Sequence, residues 1–333
     1  MPGLKKQLPF LLLLSIVYLS YFFIHIPQPE NKHKVLSANT NLVLFIQPES
    51  GHQPILDVLS SAQKEILMSI YLLSDKQIIQ ALIDAKQRGV RVVVMMEEHP
   101  FGGGNLNSKS AEQLKKAGID VGWSNPDFSL THQKSIVVDR TQAFILNQNL
   151  TAAAFSKNRE YNILDTNPED VQEIRTMFIA DWERKAFTPK NPHLLISPHT
   201  ARSGITQLLS KSTKSIDMEV EIISDKAVLT QLIDLAQTHT IRVLAPTITQ
   251  ISSNQDKLER LSAHGIQVRV LSSPYIHAKL IIIDGKEAYI GSVNLSSQSL
   301  DENRELGIVL DQEEILQTLT ATFEADFAKG TPL

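Results

Sequence analysis

The sequence of 333 residues contains no cysteine. It therefore has no disulfide framework, no thiol nucleophile and no cysteine-ligated zinc, although this absence does not reveal the compartment. A positive charge excess is also missing. The formal net charge is −4, and the N-terminal lysines make the rest of the chain more acidic still. An acidic body disfavours a broad electrostatic footprint on nucleic acid. The 10 histidines form no HExxH or comparable cluster, so no metal site is expected.

One long apolar run, PFLLLLSIVYLSYFFIHI, occupies residues 9–26. A membrane-spanning helix needs about 17–25 apolar residues, so the run qualifies. A cleaved signal peptide has a shorter apolar region and a cleavage site of small residues, which does not follow this run directly. The pattern favours an uncleaved anchor at residues 1–27 and a linker at 28–40, with a cleaved signal peptide as the alternative. Lys5 and Lys6 precede the run, which predicts that the body lies outside the cytoplasm, in a periplasm or lumen. Secretion after cleavage is the alternative.

The rest of the chain is an internal repeat. Residues 46–75 align without a gap with residues 196–225, and two His-x-Lys segments stand 145 positions apart. The matched residues of the first segment are Ile46, Pro48, Leu59, Lys64, Ile66, Met68, Ser74 and Asp75. The chain is therefore predicted to contain two copies of one unit, at residues 41–187 and 188–333.

Each copy shows the same order of helical and strand patterns. Helix-like segments at 55–64 and 205–214 precede an apolar strand, a second helix, a further strand and a third helix that ends at Gly118 or Gly265. An Asp-Gly pair in IIIDGKEAYI predicts a hairpin near the end of the second copy. This alternation predicts an α/β fold of two pseudo-symmetric α/β/α sandwich repeats, each with a buried and mostly parallel sheet.

The His-x-Lys segments carry the candidate chemistry. Residues i and i+2 of a strand share a face, so each histidine points the same way as its lysine. A lone histidine there is more often a hydrogen-bonded core residue than a catalyst. Here, however, the whole pattern recurs, and in both copies a glutamate follows the histidine by 28 positions. The recurring residues are His132, Lys134, Asp139, Asn149 and Glu160 in the first copy, and His277, Lys279, Asp284, Asn294 and Glu305 in the second.

The segment HAKLIIIDGKEAYIGSVN resembles the HKD signature of the phospholipase D superfamily, and the resemblance covers the chain after the apolar run. It implies that the two copies pack about a pseudo-twofold axis and build one shared active site. It also implies that His132 attacks phosphorus to form a phosphohistidine, while His277 acts as acid and then as base. No cofactor is implied.

The resemblance assigns roles to the remaining residues as well. Lys134, Lys279, Asn149 and Asn294 are expected to hold phosphate oxygens, and positive or amide groups aimed at those oxygens stabilise the charge that develops there. Glu160 and Glu305 are expected to orient the histidines, and Asp139 and Asp284 to be structural. The first copy departs from the signature, because Leu146-Asn147 replaces the Gly291-Ser292 of the second. Asn147 and Ser292 are further phosphate-binding candidates, and Leu146 is expected to crowd the backbone.

These expectations describe a phosphoric diester hydrolase of the phospholipase D type, which hydrolyses phospholipids or transfers the phosphatidyl group to another alcohol. It is expected to meet the membrane through residues 9–26 and to be a monomer, because both motifs lie in one chain. One alternative is a metal-independent nuclease of the same superfamily. Another is an inactive, membrane-anchored phosphate-binding protein. The sequence does not choose the head group or the acceptor.

Overall fold

The computed structural model describes residues 35–36, 41–102 and 104–333. The predicted anchor at residues 9–26 lies outside these residues. Within the described part of the chain, no helix has both the length and the apolar character needed to cross a bilayer.

The first copy alternates helices and strands up to its third helix and then forms consecutive strands. Its strands are β1 (Val35–Leu36), β2 (Leu42–Gln47), β3 (Glu65–Ile70), β4 (Arg91–Met96), β5 (Asp120–Trp123), β6 (Ser135–Val138), β7 (Gln142–Leu146) and β8 (Asn158–Asp165). Its helices are α1 (Gln53–Ser61), α2 (Lys76–Gln87), α3 (Leu106–Lys116), α4 (Ala152–Ser156) and α5 (Pro168–Trp182).

The second copy repeats this order. Its strands are β9 (Leu194–Ser197), β10 (Ser215–Val220), β11 (Thr240–Pro246), β12 (Gln267–Leu271), β13 (Tyr275–Ile276), β14 (Lys279–Ile283), β15 (Glu287–Gly291), β16 (Glu305–Leu310) and β17 (Thr331–Pro332). Its helices are α6 (Ala201–Ser210), α7 (Lys226–Leu235), a 3₁₀ turn (Ser252–Asn254), α8 (Gln255–Ala263), α9 (Ser297–Asp301) and α10 (Glu313–Lys329).

Both sheets are mixed, so the prediction of mostly parallel sheets is wrong. The strand order is β1-β2-β8-β7-β6-β3-β4-β5 in the first sheet and β17-β12-β11-β10-β14-β15-β16-β9 in the second. Parallel pairs occur where a helix crosses over, as in β3-β4-β5 and β10-β11-β12. The strands that follow form antiparallel pairs. Short turns join β6 to β7 and β14 to β15. After a longer connection, β8 lies between β7 and β2, and β16 lies between β15 and β9. A short connection can join only antiparallel neighbours.

Local sequence signals explain where the principal helices begin and end. Asp75 caps α2, and its carboxylate accepts hydrogen bonds from the amides of Gln77 and Ile78. Asp225 caps α7 in the same way. Gly118 and Gly265 follow the third helix of each copy with φ of 79° and 85°, a left-handed conformation that glycine adopts without steric cost.

Three hydrophobic clusters form the core. One lies within the first copy and joins its sheet to α1, α2 and α3, and a second does the same in the second copy. The third contains residues of both copies, including apolar residues of α5 and α10. The central cluster therefore joins the two copies and fixes the position of one sheet relative to the other.

The backbone also crosses between the copies beside the candidate site. β13 of the second copy pairs in parallel with β8 of the first, with Ile276 opposite Arg159. Thr131 of the first copy forms a bridge with Arg304 of the second. Each segment that enters a His-x-Lys motif therefore runs beside the segment that carries the other copy's glutamate.

Candidate active site

The structure brings both His-x-Lys motifs together at the junction of the copies. His132 and His277 stand just before β6 and β14, and both are largely buried, with 9% and 8% of their surface exposed. Strands β6 and β14 lie next to β3 and β10, the first strands of the parallel sets. The motifs lie where β3 and β10 end, the edge of an α/β sheet at which ligands usually bind.

Each histidine is held by the glutamate of the other copy. Nδ1 of His132 lies 2.9 Å from Oε2 of Glu305, and Nδ1 of His277 lies 2.8 Å from Oε2 of Glu160. Both glutamates are fully buried. A carboxylate on Nδ1 fixes the tautomer and direction of the ring and leaves Nε2 to face a substrate.

A second set of crossed pairs anchors the strands that carry these glutamates. Arg159 precedes Glu160 and donates to Asp326 on α10 at 2.5 Å, while Arg304 precedes Glu305 and donates to Asp181 on α5 at 2.8 Å. All four side chains are buried. Each anchoring helix belongs to the copy opposite its arginine, so the ion pairs lock the crossed arrangement in place.

In the first half of the site, formed by His132 and Lys134, the ammonium contacts the histidine directly. Nζ of Lys134 lies 2.9 Å from Nε2 of His132 and 2.6 Å from its carbonyl oxygen. A charged ammonium only donates, so Nε2 must accept and the proton must lie on Nδ1, toward Glu305. This is a neutral imidazole with its lone pair on Nε2.

In the second half, formed by His277 and Lys279, the ammonium pairs with a carboxylate and lies farther from its histidine, 3.5 Å from Nδ1. Nζ of Lys279 donates to Oε2 of Glu221 at 2.7 Å and to the carbonyl of His277. The same carboxylate oxygen lies 3.5 Å from Nε2 of His277. The other oxygen of Glu221 accepts a hydrogen bond from the hydroxyl of Tyr275. Nε2 of His277 thus faces a carboxylate.

Burial and the charges of neighbouring groups shift the pKa of several of these side chains. Burial lowers the pKa of His132, although Glu305 opposes this change. Burial, with the nearby charge of Lys279, lowers the pKa of Lys134 to about 7 despite the opposing Glu305. Burial would raise the pKa of Glu305, but the neighbouring His132, which donates to it, and the charge of Lys134 outweigh burial and hold this pKa below its usual value. Similarly, His277 and Lys279 hold the pKa of Glu221 well below its usual range against the effect of burial.

The four asparagine and serine candidates fall into two groups. The side-chain amides of Asn149 and Asn294 make no hydrogen bond to another described residue, and each buries an unpaired carbonyl oxygen. Ser292 donates instead to Oε2 of Glu305 at 2.6 Å, so its hydroxyl supports the carboxylate that holds His132. Asn147 donates across the junction to the carbonyl of Gly291 at 2.7 Å. Phosphate contacts of these four residues stay predictions.

Leu146 does not crowd the site backbone, contrary to the expectation from the sequence. Its side chain is fully buried in the core of the first copy. In the second copy, Gly291 pairs with Gly307, and a Cβ at Gly291 would lie 2.4 Å from the Cα of Gly307 and 2.5 Å from the hydroxyl of Tyr289. Leu146 pairs with Asn162, and phenylalanine replaces that tyrosine in the first copy. The two strand pairs are packed differently, so each residue suits its own copy.

The two motif aspartates bind turns rather than the histidines. Asp139 accepts hydrogen bonds from the amides of Gln63, Lys64 and Glu65, between α1 and β3. Asp284 accepts from the amides of residues 213, 214 and 215, between α6 and β10. Both carboxylates therefore fix the loop that leads into the central strand of their own copy.

Two features of this site were not predicted from the sequence: the buried arginine–aspartate anchors and Glu221. The arginines and the aspartates of these anchors recur 145 positions apart, as the histidines do. A comparison of the two copies could therefore have found them. Glu221 had a weaker signal. The matching residue of the first copy is Tyr71, so no repetition marks this position.

Comparison with known proteins matches each copy of the repeat to one family. The family model described as "Cardiolipin synthase, PLD-like domain" matches residues 55–182 and 205–327, one match in each copy. A phospholipase D of Rickettsia bellii is 32% identical over 168 residues, which cover 49% of this chain and 79% of that protein. A probable cardiolipin synthase of Bacillus subtilis is 21% identical over 344 residues, which cover 90% of this chain and 69% of that protein.

Solved structures share the fold. The polyphosphate kinase of Porphyromonas gingivalis superposes with a TM-score of 0.71 at 17% identity, over 88% of this chain and 48% of that chain. The phosphatidylserine synthase of Haemophilus influenzae superposes with a TM-score of 0.69 at 12% identity, over 91% of this chain and 90% of that chain. At these identities the likeness concerns the fold alone. With a family match in each copy and both HKD motifs at one junction, the chain belongs to the phospholipase D superfamily.

Proposed function

We propose that this protein is a phospholipid phosphodiesterase that works through a phosphohistidine on His132. The observation that carries the proposal is the pair of unlike histidines at one junction. His132 has an unprotonated Nε2 that accepts a hydrogen bond from Lys134, and His277 has an Nε2 that faces a carboxylate. Lys134 leaves this nitrogen when it donates to a phosphate oxygen of the substrate. A two-step displacement needs one nucleophile and one proton donor, and these two environments supply them.

In the first step, the Nε2 lone pair of His132 forms a bond to phosphorus. The bond between phosphorus and the leaving alcohol oxygen breaks, and the proton on Nε2 of His277 passes to that oxygen. Lys134 and Lys279, with the amides of Asn149 and Asn294, stabilise the negative charge on the other phosphate oxygens. Glu305 stabilises the charge that appears on the His132 ring.

In the second step, His277 takes a proton from water or from an acceptor alcohol. The oxygen attacks phosphorus, and the phosphorus–nitrogen bond breaks to restore His132. Water yields a phosphomonoester, whereas an alcohol yields a new diester. The same site thus supports hydrolysis and transfer, and the supply of acceptor decides between them.

The relatives support phospholipid chemistry, because those matched by sequence are named as phospholipase D and cardiolipin synthase. The charge of the site also disfavours polyanions. Three buried or half-buried carboxylates, on Glu160, Glu221 and Glu305, lie within hydrogen-bond or ion-pair distance of the two histidines. A nucleic-acid substrate would bring further phosphates towards these groups.

The test uses the full-length protein in detergent micelles that contain phosphatidyl-4-nitrophenol, a diester whose leaving group departs without a proton. The wild-type protein should release nitrophenol and form a phosphoenzyme that is stable to alkali and labile to acid. His277→Ala should accumulate this phosphoenzyme, and His132→Ala should form none. The control is His264→Ala, an exposed histidine at the end of α8.

Three results would overturn the proposal. The first is nitrophenol release by His132→Ala at the wild-type rate. The second is cleavage of single-stranded DNA by a protein that leaves the lipid intact, which would establish the nuclease instead. The third is a protein inert towards both, with no phosphoenzyme, which would favour the inactive phosphate-binding alternative.

A further inference from the structure

Besides the Leu146-Asn147 and Gly291-Ser292 pairs, the two halves of the site differ at a matched position beside the histidine and the lysine. Tyr71 follows β3 in the first copy, and Glu221 follows β10 in the second. The ring of Tyr71 packs edge-on against His132, with centroids 4.6 Å apart. Glu221 places a carboxylate at the same point of the second half. Because the histidine, lysine, asparagine and glutamate of each motif are repeated, this difference is a candidate for the origin of the division of labour between the histidines.

The two lysines have different hydrogen-bond partners, according to whether tyrosine or glutamate stands at this position. Where tyrosine stands, the ammonium of Lys134 donates to Nε2 of its histidine at 2.9 Å. Where glutamate stands, the ammonium of Lys279 donates to the carboxylate at 2.7 Å. The ammonium of Lys279 reaches only Nδ1 of His277, at 3.5 Å. Among the described residues, no ammonium comes within hydrogen-bond distance of Nε2, which lies 3.5 Å from Oε2 of Glu221.

The carboxylate of Glu221 is itself held in place. Tyr275 donates its hydroxyl to Oε1 at 3.0 Å, and the side chain is only 13% exposed. The backbone amide of Glu221 donates to the carbonyl of Ala278, between the histidine and the lysine of the motif. Such a preorganised carboxylate keeps its position during a reaction, which a flexible surface glutamate would not.

We propose that Glu221 is the positioning residue that makes the second half of the site the proton-donating half. It holds the ammonium of Lys279 away from Nε2 of His277 and offers that nitrogen a carboxylate, so Nε2 carries a proton toward the leaving oxygen. The inference rests on the proposed function. It adds a residue to which neither the family signature nor the internal repeat assigns a role.

Removing the negative charge should make the second half resemble the first. In Glu221→Gln, Lys279 loses its anionic partner and is free to donate to Nε2 of His277. An Nε2 that accepts a hydrogen bond no longer carries the proton that the leaving alcohol needs. The hydrogen bonds of the first half would be kept, because those of His132 with Lys134 and Glu305 do not involve Glu221. The charge of Glu221 does help to keep the pKa of Lys134 up, so the variant is compared with wild type at pH 6, where the ammonium is retained.

The experiment compares two leaving groups on the same phosphatidyl donor, with the full-length protein in micelles. Nitrophenol departs as an anion, whereas ethanol from phosphatidylethanol must be protonated. Single-turnover release of each is measured for wild type, Glu221→Gln and the control Glu259→Gln, an exposed glutamate on α8. We expect ethanol release by Glu221→Gln to fall about 100-fold, within the usual range for general acid catalysis, and nitrophenol release to change by less than about 3-fold.

Retained nitrophenol release also shows that the variant is folded. An equal loss for both leaving groups, or no loss for either, would overturn the role of Glu221 while leaving the phosphohistidine reaction intact. Wild-type protein that releases neither alcohol would overturn the proposed function, and with it this inference.

Discussion

At the scale of single residues, Lys134 is a group whose charge depends on the pH near neutrality. It is fully buried, and burial together with Lys279 brings its pKa to about 7. Its protonated form is the one that donates to His132 and would hold a phosphate oxygen. With this pKa, far below that of a free lysine, Lys134 carries its charge below pH 7 and loses it as the pH rises through this value.

We therefore expect kcat/KM for phosphatidyl-4-nitrophenol to fall as the pH rises above about 7, since this ratio reports the free enzyme. Lys134→Arg should show a lower maximum but no such decline, because a guanidinium stays charged throughout. The measurement is a pH series from 6 to 9 with both proteins. A wild-type profile that stays flat over this range would contradict the assignment of this limb to Lys134.

The residues themselves were predictable because duplication marks them. A histidine, lysine, asparagine and glutamate that recur at fixed distances are recognisable without a structure. The sequence could not reveal that Ser292 supports Glu305, because a hydroxyl beside a phosphate and a hydroxyl beside a carboxylate look alike in sequence. Nor could it reveal Glu221, since that position is not repeated.

At the scale of elements, the motif aspartates connect the hairpin to the start of the central strand. Asp284 has a φ of 53° and accepts three backbone hydrogen bonds from the loop before β10, as well as one from the hydroxyl of Thr213. Burial would raise its pKa, but these donors hold the pKa well below the usual value. The stabilisation is thus present above the unfolded pKa and is lost as the pH falls through the folded one.

Asp284→Asn keeps a residue that tolerates positive φ but removes the charge. We expect it to lower the free energy of unfolding by about 1–2 kcal/mol at pH 7, the usual range for hydrogen bonds to a charged group. The difference from wild type should shrink toward pH 3. Urea unfolding at both pH values measures it, with the exposed Asp234→Asn on α7 as control. An equal difference at both pH values would show that charge is not the cause.

The helices and strands followed closely from periodicity, caps and glycine stops. The sheet direction did not, because an apolar run has the same appearance in a parallel and an antiparallel strand. The direction of neighbouring strands is indicated instead by the short segments between β6 and β7 and between β14 and β15. A turn as short as the one predicted from Asp284-Gly285 requires antiparallel neighbours.

At the scale of the whole molecule, each copy supplies the glutamate that holds the histidine of the other copy. Glu160 belongs to the first copy and serves His277, while Glu305 belongs to the second and serves His132. Sequence alone left this undecided, because the 28-position spacing is the same in both copies and is compatible with pairing inside each copy or between them. Strand pairing between β13 and β8 decides the matter in the structure.

This exchange predicts which step each glutamate affects. With the nitrophenyl substrate, Glu160→Gln should form the phosphoenzyme at a near wild-type rate but resolve it about 100-fold more slowly, because its histidine is the base of the second step. Glu305→Gln should slow formation by a similar factor, because an imidazole without its carboxylate partner loses orientation and charge stabilisation. Rapid-quench measurement of the phosphoenzyme separates the two steps. The reverse assignment of effects would show that each glutamate serves the histidine of its own copy.

The crossed contacts also determine when the site can form as the chain is made. His132 and Glu305 are 173 positions apart, and Arg159 is anchored by Asp326 at a distance of 167. Translation proceeds from the N-terminus, so a completed first copy still lacks the partners of its histidine and of its arginine. The candidate site is assembled only when α10, the last helix of the described residues, has been synthesised and packed. A nascent chain therefore carries His132, the proposed nucleophile, long before the site around it is complete.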